Sequence, residues 1–326
     1  MMHRTLKRLI LGSAACLAAF GAWAAESDYP TKPVKLIVAF PPGGPADVTA
    51  RIVSQKLSER LGQAVVIENR GGAGGNVGAQ AVAKADPDGY TYLVTTTSFA
   101  VNPALSGKDA GYDAEKDFAP VSIIATQPNA IAVHKSLGVQ TLAQLREKAS
   151  KEKLSFASPG TGTTPHLTGE NLFKIKWRTE MTHVPYRGAG PAAAALAAGE
   201  PPVGSLAVAG VLPFVKSGRV EALAVSSKER IPMLPDVPTL AELGYPDILD
   251  YTWTAVLAPA GTPKDRIEKV SRAIDETLKE ADIKNNLAMQ ALIPVGGTPD
   301  EFGTYLKDEL KRWATIVRET GAKLEQ

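Results

Sequence analysis

The chain has one cysteine, Cys16, in 326 residues. A lone cysteine excludes any disulfide within the chain and any cysteine-based metal site. Histidine is scarce too: the four residues His3, His134, His166 and His183 contain no H-x-x-x-H pair. No acidic cluster follows calcium-loop spacing, so no metal centre is expected. Charge of one sign is also missing. Thirty-six basic against 34 acidic residues give a net +2, which offers no field for nucleic acid or an anionic membrane. Beyond the N-terminus no apolar run approaches transmembrane length, so no membrane insertion of the mature chain is expected.

The first residues resemble an export signal. Arg4, Lys7 and Arg8 precede the apolar stretch Leu9–Phe20, and Ala22-Trp23-Ala24 has the small–x–small form of a cleavage site. The reading predicts a signal peptide over residues 1–24 and a periplasmic mature protein. Ser13 stands where a lipobox leucine would, so Cys16 is not read as a lipid anchor. Cleavage removes that cysteine and three basic residues, taking the net charge from +2 to −1. The mature chain must then be held by its core alone, and it is long enough for two lobes.

What is abundant is alternation. "VKLIVAF" (Val34–Phe40) reads as a strand buried on both faces. A helix follows, with Pro45 in its first turn, Asp47 at its positive end, a stripe of Val48, Ile52, Leu57 and Leu61, and Gly62 at its end. "AVVIEN", a glycine-rich turn into a helix, and "GYTYLVTTTS" continue the pattern. It resumes after Pro128, with helices over Thr141–Ser150, Thr164–Lys174 and Ala189–Ala198. Strands are read over Leu154–Ala157, Met181–Tyr186 and Val220–Ser226, and in "DYTWTAVLAPAG". Two apolar helical stripes, Ile267 to Leu278 and Phe302 to Val317, close the chain. This predicts an α/β fold of two parallel-sheet lobes joined by strand-like crossings near Ala125–Pro128 and Thr252–Val256. The expected division is 25–127 plus 256–326 against 128–255, with a hinge and a ligand cleft between them.

Four strand ends carry the same chemistry: "FPPGGPAD" (Phe40–Asp47), "NRGGAGGN" (Asn69–Asn76), "SPGTGTTPH" (Ser158–His166) and "YRGAGP" (Tyr186–Pro191). Each runs from a strand through a glycine turn to a helix N-terminus, where unpaired N–H groups favour an anion. Thr95–Ser98 adds hydroxyls. Taken singly, such loops need glycine and proline for turn geometry alone. On two lobes they suggest a shared anionic ligand. Dinucleotide and P-loop motifs fail on spacing: Val77 falls where the third glycine belongs, and no lysine completes a P-loop. Ser158 or Thr161 with His166 as base leaves a secreted hydrolase or transferase open, although no G-x-S-x-G elbow is present. His183, inside a strand pattern, reads as structural. Arg70 and Arg187 could pair with a carboxylate. Phe40, Tyr186 and Trp253 could line a pocket.

The segments "YPTKPVKLIVAFPPGGPADVTAR", "VVIENRGGAGGNVGAQAVAKADPDGYT", "FASPGTGTTPHLTGE", "HVPYRGAGPA" and "LAVSSKERIPMLPDVPTLAELGYP" resemble the Bug-type (Bordetella uptake gene) receptors, the solute-binding subunits of tripartite tricarboxylate transporters. The resemblance implies a type II periplasmic-binding-protein fold closing on its ligand like a flytrap, without catalysis or cofactor. It implies a small carboxylate as ligand and large and small membrane subunits as partners of a monomer. The family's pocket loops fall on Phe40, Pro42, Gly43, Gly44 and Asp47; on Gly74, Gly75 and Asn76; and on Thr97 and Ser98. In the second lobe they fall on Ser158, Thr161, Thr163, Thr164 and His166, and on Tyr186, Arg187, Gly188 and Ala189. One segment departs from the family: "GEPPVGSLAVAG" (Gly199–Gly210) places Leu206 where the family has an aspartate, and Pro201 and Pro202 unsettle that strand. Leu206 is expected to suit an apolar or aromatic carboxylate, terephthalate-like. A receptor feeding a signalling protein instead of a transporter is the other binding-protein reading.

Overall fold

The computed structural model describes residues 29–321; the expected signal peptide, with Cys16, lies outside them. The chain runs β1 (Val34–Val38), α1 (Pro45–Leu61), β2 (Val65–Asn69), α2 (Asn76–Ala83), β3 (Thr91–Thr96), α3 (Ser98–Ser106) and β4 (Phe118–His134). It continues through α4 (Leu142–Lys151), β5 (Ser155–Ser158), α5 (Thr164–Glu170), β6 (Thr182–Pro185), α6 (Ala189–Ala198), β7 (Val203–Ala207), α7 (Val208–Lys216) and β8 (Val220–Val225). It closes with β9 (Tyr251–Pro259), α8 (Lys264–Lys279), α9 (Ala281–Met289), β10 (Ile293–Gly296) and α10 (Pro299–Thr320).

Local chemistry sets most of these bounds. Pro45 opens α1 after an extended Gly44, and Gly62 ends it at φ 67°. Thr141 and Gln144 form a capping box on α4, and Thr298 and Glu301 form another on α10. Helix α3 forms where no helix was read from the sequence; Pro103 sits inside it and leaves the Phe99 carbonyl without its usual donor. The Tyr112 hydroxyl supplies that donor at 3.0 Å, a partner distant enough in sequence to escape a local reading. Strand β7 forms despite Pro201 and Pro202 because both precede its first residue, Val203. The helix expected to Lys174 is α only to Glu170, and then runs through Asn171–Lys176 as a π turn.

Two sheets share β4. The first runs β2-β1-β3-β9-β4-β10; β1, β2 and β3 are parallel, while β9 runs antiparallel between β3 and residues 118–128 of β4. In the second, residues 129–134 of β4 lie between β8 and β7, and β5 and β6 follow in parallel. Each sheet thus has three parallel strands and then an antiparallel crossing strand, the two-lobe α/β plan of periplasmic binding proteins. Strand β9 already pairs with the first sheet at Tyr251, ahead of the boundary at 256 read from the sequence. Each lobe has its own core, around Phe99, Trp253 and Trp313 in one and Ile131, Phe156 and Phe173 in the other. Leu167 of α5, a second-lobe helix, is fully buried in the first-lobe cluster.

Candidate functional site

The parallel strands of the first lobe end in three loops that interlock. A side chain at Gly71 would lie 2.8 Å from Pro41, and one at Gly75 3.1 Å from the Phe40 ring. Asp47, buried in the first turn of α1, accepts hydrogen bonds from Gly43 N, Asn69 Nδ2 and both arms of Arg51. Burial alone would raise its pKa, but these bonds outweigh burial and hold it below the ordinary carboxylate value. Asp47 is therefore a brace that shapes Pro42–Gly44; those three residues stand at the surface or half-exposed. Asn76 is buried and bonded to Asn102 Nδ2 at 2.6 Å, and Asn102 also holds the Gly74 carbonyl at 3.1 Å. Thr97 is spent at the crossing: its hydroxyl accepts from Trp253 N and donates to the Tyr251 carbonyl. Ser98 is buried at the start of α3.

In the second lobe, β5 and β6 deliver two further loops that are laced together. Tyr186 N donates to the Ser158 carbonyl and Gly188 N to Pro159 O. Thr163 caps α5, accepting from His166 N while donating to Gly160 O at 2.7 Å. Thr161 is half-exposed at the tip, and Thr164 is buried. Tyr186 donates to the Glu200 carbonyl, and Arg187 is exposed beside Gly188 and Ala189 at the start of α6. Leu206 is fully buried in the second-lobe core, packed with Leu196 and Val211.

The serine–histidine pair differs from the one posed by the sequence. Ser158 Oγ lies 2.7 Å from His183 Nε2, and His166 stacks on His183 with ring centroids 4.0 Å apart. His166 Nδ1 accepts from Gly162 N at 3.3 Å. Ser158 is fully buried, and no described carboxylate is hydrogen-bonded to His183. Burial, reinforced by His183 and Lys174, lowers His166 to about 3. Burial also lowers His183 to about 4. Both are neutral in the folded protein at pH 6 while the unfolded chain takes up protons. Stability therefore falls as pH drops from about 6.5 toward about 4, by up to about 1.4 kcal/mol per pH unit for buried His166. Chemical denaturation at pH 6.5 and 4.5 should show this loss, and His166→Asn should shrink it; an unchanged pH slope in the variant would contradict the assignment.

The lobes meet at the loop tips. The Thr161 carbonyl lies 3.6 Å from where a side chain at Gly74 would begin, and Gly162 faces Asn102 and Leu105 of α3. Deeper in, a buried network ties the lobes at the crossing. Asn129 bonds Thr168 and Thr252; Thr168 donates to Asp250, and Arg312 of α10 pairs with Asp250. Burial pushes Asp250 up, against the opposing pull of Arg312 and Thr168. None of Asn102, Asn129, Thr168, Asp250 or Arg312 was singled out from the sequence. They come from four separate elements and the segment before β9, and no local motif joins them. A groove of about 1090 Å³ between α8 and α10, lined by Lys264, Glu268, Arg272 and Asp300, lies where β4 begins, at the other end of the first sheet from the glycine loops.

A family model described as the tripartite tricarboxylate transporter family receptor (TctC) matches residues 49–322. The chain is 37% identical over 327 residues to protein BugT of Bordetella pertussis, covering 99% of this chain and all of that one. Among solved structures it is similar to R. palustris Rpa4515 with adipate, at 33% identity and TM-score 0.86, covering 91% of this chain and 100% of that one. MatC from Rhodopseudomonas palustris with bound malate is similar at 30% identity and TM-score 0.82, covering 89% and 100%.

Proposed function

The chain belongs to the tripartite tricarboxylate transporter receptors, a family of periplasmic solute-binding proteins, and from that premise we propose that it captures a small carboxylate by closing its two lobes. It then delivers the acid, as a monomer, to large and small membrane subunits. The single observation that carries this reading is the convergence of glycine loops from both lobes, with Thr161 and Gly162 against Gly74 and Asn102. The adipate and malate held by two relatives support a carboxylate as the class of ligand. We place the hinge where β4 passes from one sheet to the other at Pro128–Asn129 and where β9 begins at Tyr251. The ligand-binding set is that of the loops: Phe40 and Pro42–Gly44, Gly74–Asn76, Thr161–Thr164 with His166, and Tyr186–Ala189. Export through the leader at residues 1–24 fits this role.

Binding is a shift between open and closed populations, not chemistry. A micromolar constant needs about 8 kcal/mol net, and hydrogen bonds to a charged group contribute about 1.5–3 kcal/mol each, so a few loop donors with some apolar burial suffice. The adipate and malate held by relatives widen the range beyond the aromatic acid that Leu206 suggests. C4–C6 aliphatic diacids therefore stand beside terephthalate on the panel. Titration calorimetry against that panel, with recovered ligand checked by mass, tests the reading. Saturable binding with ligand unchanged is expected; turnover lost in His166→Ala would overturn it. Arg187, exposed and without an ion-pair partner among the described residues, should add attraction for an anion. Arg187→Ala is expected to weaken binding about two- to fivefold at low salt, and less at high salt. Equal loss at both ionic strengths would assign Arg187 a non-electrostatic role.

A further inference from the structure

At the crossing of the lobes, two buried polar groups on one face have no hydrogen-bond partner among the described residues: Gln127 Nε2 and Thr254 Oγ1. Gln127 is 0% exposed and Thr254 1%. Gln127 of β4 stands opposite Thr252 of β9, and Thr254 follows two residues on, so side-chain alternation puts all three on the same face. That face continues into the buried network through Thr252 and Asn129 to Thr168 on α5. Thr168 Oγ1 also lies 3.0 Å from the Thr164 carbonyl one turn earlier, and the buried Thr164 Oγ1 has no partner among the described residues either. Helix α5 begins at the glycine loop that meets the first lobe.

The orientation of the Gln127 amide follows from its neighbour. Ala209 N, in the first turn of α7, donates to Gln127 Oε1 at 3.1 Å. A backbone N–H needs an acceptor, so the amide cannot be turned round, and the NH₂ group points elsewhere as a pure donor. Leaving such a donor desolvated without a partner is unfavourable, and buried side-chain polar atoms are rarely left so. Both lobes contribute to its surroundings: β9 belongs to the first sheet, while α7 and α5 belong to the second lobe. A group placed here is in position to respond to what the lobes close upon.

Resting on the receptor reading above, we propose that Gln127, with Thr254, is a specificity-determining pair that receives a hydrogen-bond acceptor of the bound acid, a carboxylate, carbonyl or hydroxyl oxygen. An ammonium group at that position would face the NH₂ of Gln127 donor to donor. The pair thereby favours diacids and hydroxy acids over the corresponding amino acids. It lies outside the loop residues named from the sequence.

Malate and aspartate differ at one substituent, hydroxyl against ammonium, and with adipate they serve as probes for calorimetry on the mature protein. Gln127→Glu keeps an oxygen for Ala209 N and replaces the donor with an anionic acceptor. Thr254→Val is isosteric and removes no internal hydrogen bond. The wild type should bind at least one of the two acids, malate or adipate, and prefer malate to aspartate. Gln127→Glu should weaken binding of the acid at least tenfold and narrow the malate-to-aspartate ratio. Thr254→Val should weaken it at least threefold without lowering Tm. Wild-type affinity in both variants would overturn the proposal and mean that ordered water alone serves these groups. If Gln127→Glu does not fold, Thr254→Val decides by the same criterion. A wild type that binds no carboxylate of the panel overturns the receptor reading itself, and this inference with it; binding by the wild type and by both variants alike removes this inference only.

Discussion

Gly162→Val is expected to reduce carboxylate affinity by about 10- to 100-fold. A Cβ at Gly162 would sit 2.7 Å from both Asn102 Oδ1 and Leu105 Cδ1 on α3. The contact joins the loop tip of one lobe to a helix of the other, so the clash arises only when the lobes are together. Overpacking of this kind costs about 1–3 kcal/mol, and each 1.4 kcal/mol is tenfold in affinity. The apparent constant rises because the competent closed form becomes rarer. A second effect is separable: Gly162 has φ +82°, which strains a β-branched residue in every state and lowers Tm. Gly244 provides the control, since its φ is +92° and nothing lies within 4 Å of its Cβ position. Gly244→Val should lower Tm similarly and leave affinity intact. Equal affinities for Gly162→Val and wild type would remove lobe closure at this contact from the binding mechanism.

Glu309→Ala is expected to cost about 3–4 kcal/mol of stability. Glu309 Oε2 accepts from the indole N–H of Trp253 at 3.0 Å and of Trp313 at 2.9 Å, and Oε1 meets Arg312 at 3.4 Å. Trp253 and Trp313 are 1% and 0% exposed, so neither N–H can turn to water. Each orphaned buried donor costs about 1–3 kcal/mol. At about 2–4 °C per kcal/mol, Tm should fall by roughly 6–16 °C in a calorimetric scan. Glu309→Gln keeps a carbonyl oxygen with two lone pairs for the two indoles, and should lose only about 1–2 kcal/mol from the weakened tie to Arg312. A glutamine variant as unstable as the alanine one would show that the charge, not the paired indoles, sets the effect. Because Arg312 also pairs with Asp250 across the crossing, the same variants report on how tightly the lobes are tied.

Much of this site was legible in the sequence because its loops obey local rules. A strand of β-branched residues, a glycine turn and a proline or threonine at a helix start fix φ, capping and direction within a few residues. The strand–helix alternation determined an α/β chain with parallel strands, and the glycine turns fell at the strand ends as expected. Signals that failed depended on distant partners. Helix α3 hides behind Pro103 until Tyr112 supplies the missing donor. Leu206 stands where the family it resembles has an aspartate, and β7 packs it against Leu196 and Val211. His166 was offered to Ser158 by proximity in sequence, while sheet pairing brings Ser158 to His183 instead.

By itself, then, the sequence determined the class of fold and the strand–turn–helix loops at the ends of the parallel strands. Only the tertiary structure decided which hydroxyls are spent and which are left over. Thr97 and Thr163 are consumed in bracing, whereas Thr164, Thr254 and Gln127 each keep a buried polar atom with no partner among the described residues. The physical reason is that capping and turn preferences act over three or four residues, while satisfying a buried polar group depends on whatever the fold brings from elsewhere in the chain. Gln127 shows the difference: its sequence neighbours are the apolar-rich residues of a strand, and its partner, Ala209 N, arrives from a helix of the opposite lobe.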